Sequence, residues 1–189
     1  MLFRSWLGTA IGRRIHALAH NRDPRPVQRR ARRKSIGAQR ALGRARRDPG
    51  SVDTVVVELV DRVTRRLRDG NRTGRTITIR LRFGDYTSVT RSHTIERTTA
   101  HTQTILDEAR GLMAAAQPLI RDRGLTLVGI SVGNLDDGEG EPSLDFDERP
   151  KAALDAALDT VRHRFGADAI TRAVQIGREQ GVSVPVLPD

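Results

Sequence analysis

The chain has 189 residues, 37% hydrophobic and only 3% aromatic, enough for one aliphatic core with appendages and not for two full domains. It has no cysteine, which excludes disulfides, thiol catalysis and cysteine-ligated zinc, and no apolar run approaches the ~18 residues that span a bilayer, so a soluble cytoplasmic protein is expected. The net charge of +10 is uneven: residues 1–47 hold 14 of the 33 Lys and Arg but one of the 23 acids, a net +13, and the remainder carries −3, the footprint of a basic arm that meets a polyanion.

Leu7 to His20 has helical spacing, with Leu7, Ile11, Ile15, Leu18 and Ala19 on one stripe. Pro24 and Pro26 end it. Residues 27–33 read as a basic tether, which as a solvated linker would look the same. Lys34 to Leu42 is predicted as a first strand, with Gly37 letting another backbone approach closely. A loop follows to Gly50. Ser51 then caps a helix running to about Arg68, on the spacing of Val52, Val55, Val56, Leu59, Val63 and Leu67. Asp69 to Gly74 is a turn.

The stretch from Arg75 to Phe83 alternates with period two: Ile77, Ile79, Leu81 and Phe83 on one face, Thr76, Thr78, Arg80 and Arg82 on the other. Gly84 to Tyr86 marks a turn, and a second strand from Thr87 to Ile95 puts Ser88, Thr90, Ser92 and Thr94 together. Paired as a hairpin, the two strands present hydroxyls and guanidiniums, donors that suit phosphate oxygens. A solvated antiparallel face would carry the same residue types, since Thr favours strands.

A helix opens at Thr98–Thr99, with Ile105, Leu106, Ala109, Leu112, Met113 and Ala116 on one face and Ile120 extending it past a kink at Pro118; Arg123 and Gly124 end it. Leu125 to Val132 is the last strand. The order from Lys34 is therefore β-α-β-β-α-β, which predicts an α/β (α+β) two-layer sandwich: a four-stranded sheet with two helices on one face and the opposite face open. Asp136 to Lys151 is acidic and rich in Gly and Pro, a linker. Leu154, Leu158, Val161 and Phe165 mark an amphipathic helix, and Ala167 to Ile176 a second one.

No catalytic constellation and no metal site emerge. His16 and His20 have a metal-compatible spacing but no third ligand, and Asp136, Asp137, Asp145 and Asp147 lie in the linker, where nothing pre-organises them. Nucleic-acid binding is the leading class. The face lacks paired aromatics, which argues against base stacking on single strands and for contact with a duplex backbone.

The segments Arg32–Leu42, Thr76–Phe83, Thr90–Thr94 and Leu125–Leu135, in this order and spacing, resemble the little-finger domain of Y-family translesion DNA polymerases, nearest to the bacterial DNA polymerase IV type. Gly8–Ala19 and Asp23–Val27 resemble the end of the family's thumb and its linker. The resemblance implies thumb-derived residues at 1–26, a basic linker at 27–33, a little finger at 34–135, an acidic linker at 136–150 and a helical C-terminal extension at 151–189. It implies a module that grips the backbones of primer-template DNA in damage tolerance and repair. The DNA-binding candidates are Arg32, Arg33, Lys34, Ser35, Gly37, Arg40, Thr78, Arg80, Arg82, Thr90, Arg91, Ser92 and His93, although the alternation puts Arg91 and His93 on the face opposite Ser92.

The family's catalytic palm, with its Mg²⁺-binding carboxylates, has no counterpart in these residues, so neither catalysis nor a cofactor is expected of this chain. In place of the family's sliding-clamp motif stand Leu144 and Phe146, the only apolar positions kept. The reading from another class is a stand-alone RNA- or ribosome-associated protein built on the same sandwich.

Overall fold

A computed structural model describes residues 2–26, 33–43, 49–137 and 148–176. The chain divides into two units, one ending at Arg32 and one beginning at Arg33. The first contains α1 (Leu2–Ala19), which is broken at Gly8, where φ is 75°. Its stripe of Ile11, Ile15 and Leu18 is exposed.

The second unit carries β1 (Ser35–Ala41), α2 (Pro49–Asp69), β2 (Arg72–Phe83), β3 (Ser88–Thr99), α3 (Thr102–Arg123), β4 (Leu125–Asp137) and α4 (Glu148–Phe165). The strands form one antiparallel sheet in the order β1-β4-β2-β3. Both long helices pack on the same side, so the α/β sandwich expected from the order of elements is what the chain forms. Period-two burial in β2 places Ile77, Ile79, Leu81 and Phe83 under the helices, against Val128, Ile130 and Val132 of β4 and Ile36 of β1. The helices contribute Val56, Leu59, Val60, Val63 and Leu67 from α2, and Ile105, Leu106, Ala109 and Met113 from α3. Polar residues inside this layer are paired: Thr64 and Thr102 share a hydroxyl hydrogen bond of 3.0 Å between the two helices.

Several boundaries differ from the sequence reading. The helix α2 begins at Pro49, so Ser51 lies inside it instead of capping it; a proline suits a first turn because its missing N–H would be unpaired there anyway. The strand β3 continues through Thr99, which delays α3 to Thr102. The strand β4 runs on to Asp137 and pairs Asp136 and Asp137 with Thr73 and Arg72, residues expected to form a linker and a turn. Alternation of apolar residues ends before these stretches, but backbone pairing does not depend on it. The helix α3 runs through Pro118 and stops at Gly124, whose N–H still donates to Ile120 O and whose φ of 66° turns the chain out of the helix. Of the second C-terminal helix only a 3₁₀ turn at Ala173–Gln175 forms.

The hairpin turn is tied to the end of α3. Asp85 accepts from the Thr87 amide at 3.0 Å and the Thr87 hydroxyl at 2.6 Å, and Arg123 Nη2 donates to it at 2.5 Å. Arg123 also lies over the Phe83 ring, 5.0 Å from its centre.

The helix α4 docks by its charged face. Arg68 of α2 donates to both carboxylate oxygens of Asp159 at 2.5 and 3.0 Å, and lies 3.4 Å from Asp155. Asp155 accepts the Thr102 amide at 2.9 Å and so serves the first turn of α3, whose own preceding residue, His101, makes no side-chain cap. Arg162 pairs with Asp61 at 3.0 Å. Leu154 and Phe165 of the predicted apolar stripe are instead exposed.

Candidate nucleic-acid interface

The register of the sheet composes the face away from the helices. Directly opposed residues of antiparallel strands put their side chains on the same side. With Ile77, Ile79 and Leu81 in the core, the residues between them define the open face. One row across the strands is Ser35, Gly133, Thr76 and Thr94; the next is Gly37, Ser131, Thr78 and Ser92. Then come Gln39, Gly129, Arg80 and Thr90, and last Ala41, Leu127, Arg82 and Ser88. Every row holds a hydroxyl, none holds a carboxylate, and two guanidiniums lie side by side on β2.

Thr78, Arg80, Arg82, Thr90 and Ser92 are thus brought together with Ser35 and Gly37. Arg80, Thr90 and Ser92 are exposed; Thr78 and Arg82 are half-buried, and Arg82 Nε is covered without a hydrogen-bond partner among the described residues. Thr76 and Thr94 hydroxyls lie 3.0 Å apart across the hairpin, and Asn134 Nδ2 donates to Thr76 at 2.8 Å, which fixes one corner of the face. The glycines keep it low. A Cβ added at Gly37 would lie 2.8 Å from Ser131 Cβ, the close approach anticipated for this residue.

Three candidates lie on the helix side. Arg40 is opposite Val128 and pairs with Glu58 of α2, which Arg62 also engages at 3.0 Å. Arg91 is opposite Ile79, and His93, opposite Ile77, meets Glu108 of α3 at 2.7 Å. Lys34 is exposed at the start of β1 and Arg33 half-buried beside it. Arg32, Leu144 and Phe146 lie outside the described residues. Ser131, at the centre of the face, was missed; its place between Ile130 and Val132 was the available signal, since it needed only the alternation already used for those two.

Among the described residues no group of His, Asp and Glu is arranged to hold a metal ion, and no helix is long and apolar enough to cross a membrane.

Residues 33–146 match the impB/mucB/samB family C-terminal domain. The chain belongs to that family. It is 36% identical to DNA polymerase IV 2 of Mesorhizobium japonicum over 197 aligned residues, covering 95% of this chain and 46% of the relative. It is 31% identical to DNA polymerase IV of Desulfatibacillum aliphaticivorans, with 87% and 42% covered, and 32% identical to that of Halorhodospira halophila, with 74% and 38% covered. The chain thus spans less than half the length of these relatives. The family match covers β1 to β4, so the Y-family resemblance of those strands is a family relationship, and the open sheet face is a surface of that C-terminal domain.

Proposed function

We propose that the open face grips the sugar-phosphate backbone of duplex DNA, serving as the DNA-holding module of a translesion polymerase. The observation that carries this reading is the carboxylate-free lattice of hydroxyls around Arg80 and Arg82. Hydroxyls and guanidiniums donate to phosphate oxygens without reading base edges, so the grip holds DNA in register regardless of sequence. A polymerase that copies damaged template needs that property, because a lesion alters bases and leaves most of the backbone unchanged. The relatives, all named as DNA polymerases, support DNA over RNA as the partner. In this reading the chain holds DNA and does not itself transfer nucleotides, and the Mg²⁺ chemistry belongs to the polymerase's palm. Leu144 and Phe146 supply the apolar positions for a sliding-clamp contact, a secondary part of the proposal.

The test is equilibrium binding of the chain to a DNA duplex and an RNA duplex of one sequence at one salt concentration. Tighter binding to DNA, little changed when the base sequence is permuted, is expected. Tighter binding to RNA would favour an RNA-associated module instead.

A further inference from the structure

The helix α4 buries charges and leaves an apolar seam outside. Asp155, Asp159 and Arg162 are buried against α2 and α3. Leu154, Leu158, Val161 and Phe165, spaced four, three and four apart, line up beside them over three turns, a length of about 16 Å. Leu154 is 60% exposed and Phe165 67%, and Leu158 and Val161 are half-buried. The anchors fix this rotation. Arg68 donates to both oxygens of Asp159, Arg162 pairs with Asp61, and Asp155 accepts the Thr102 amide. Such pairs are directional, so α4 cannot roll its seam inward without breaking all three. Single exposed apolar residues are ordinary on a surface, whereas a continuous seam is a contact face.

The seam lies outside residues 33–146, which match the family domain, and behind the helix layer, away from the open sheet face. Its spacing suits the packing of one further helix. Its charge selects which. Between residues 152 and 176 the acids are Asp155, Asp159 and Asp168. The first two face inward, and Asp168 lines a cleft together with Arg62 and Arg65 of α2. Arg164, 5.3 Å from the centre of the Phe165 ring, and Arg172 beyond the helix pair with no carboxylate among the described residues. The surroundings of the seam are therefore positive. That opposes pairing with a second copy of α4, where like charge meets like, and favours an acidic helix.

We propose that the outward seam of α4, Leu154, Leu158, Val161 and Phe165 with Arg164 at its rim, docks an acidic amphipathic helix of a partner protein. The buried ion pairs of α4 then have a second effect besides stability: they present the seam. This docking does not depend on what the open face binds, and the two surfaces can be occupied together.

The experiment adds two synthetic helical peptides in turn to the ¹⁵N-labelled full chain. Both carry one leucine seam, flanked by Glu in the first and by Lys in the second. The Glu peptide is expected to shift the amides from Leu154 to Phe165, to leave those of β2 and β3 in place, and to bind more tightly than the Lys peptide. Leu154→Glu/Phe165→Glu is expected to abolish that binding with duplex DNA affinity little changed. Phe165→Ala carries the test if the double variant melts early. Arg164→Ala is expected to weaken the Glu peptide by roughly 2–5-fold, the share of one exposed charge, and to leave the Lys peptide no weaker. Unmoved α4 amides with the Glu peptide overturn the docking face. Equal binding of the two peptides overturns the acidic partner. Dimerisation of the parent that Leu154→Glu/Phe165→Glu removes assigns the seam to a second copy instead. Anionic lipid vesicles that shift these amides where the Glu peptide does not assign it to a membrane surface.

Discussion

Ile79 and Arg80 are neighbours in β2 with opposite roles. Ile79 is fully buried under the helices, and Arg80 stands on the exposed side. Replacing Ile79 with Ala leaves a cavity and is expected to cost about 2–5 kcal/mol in chemical denaturation. Replacing exposed Arg80 with Ala is expected to change stability by under about 0.5 kcal/mol, as surface substitutions do, and replacing half-buried Arg82 removes a guanidinium whose covered Nε makes no hydrogen bond among the described residues, so the double variant is expected to stay folded. A double variant that unfolds while Ile79→Ala stays folded would reverse the assigned faces. This much was legible, because period two is printed in the residue types. The aim of Arg40 was not: only the register with Val128 shows it facing Glu58. Asp85 gives a second prediction at this scale. The Thr87 hydroxyl first, then Arg123, holds its carboxyl at about 2, below the ordinary 3.8. A pKa depressed in the folded state stabilises above about 3.8, and the contribution is lost as pH falls through 2. NMR titration of Asp85 should show that midpoint, and Arg123→Ala should raise it part of the way toward 3.8, since the Thr87 bonds remain. A midpoint indifferent to Arg123 contradicts the assigned pair.

The helix α4 was predicted from its apolar stripe, and the helix is there. Its docking was not legible. Asp155, Asp159 and Arg162 are buried, and their partners Arg68 and Asp61 lie on α2, with Arg68 91 residues before Asp159. A sequence shows a charged face as solvated unless the complementary charges are known to lie opposite it, and that is a fact of tertiary structure. The helices α2 and α3 were legible because their stripes pack on a sheet whose own inner face is apolar, so both sides announce the contact. Arg68→Ala removes the cation that Asp155 and Asp159 share. Breaking a largely buried pair in this way is expected to cost about 3 kcal/mol, the low end for such pairs because Arg68 keeps some contact with water. Hydrogen exchange should then quicken in α4 and at the Thr102 amide, which Asp155 accepts, with less change in β2 and β4. Unchanged exchange in α4 would show that the ion pairs do not hold it.

Across the second unit the fold divides labour between two sides of one sheet. One side is closed by α2 and α3 around an aliphatic core. The other is left open, and its rows carry hydroxyls, two arginines and no carboxylate. The order of elements was readable from the sequence because α2, β2 and α3 are strongly periodic and turn residues set off the strands between them. The extent of the open face was not, since it depends on how β4 is inserted between β1 and β2, which brings Ser131 and the glycines of β4 into its centre. That this face grips phosphates is tested most directly by duplex DNA affinity against salt concentration, for the parent chain and for Arg80→Ala/Arg82→Ala shown to be folded by thermal melting. The parent's affinity is predicted to fall steeply with salt, and the variant to bind more weakly with a slope shallower by about 1 per arginine. A variant that binds duplex as tightly as the parent, with the same slope, would contradict the phosphate grip.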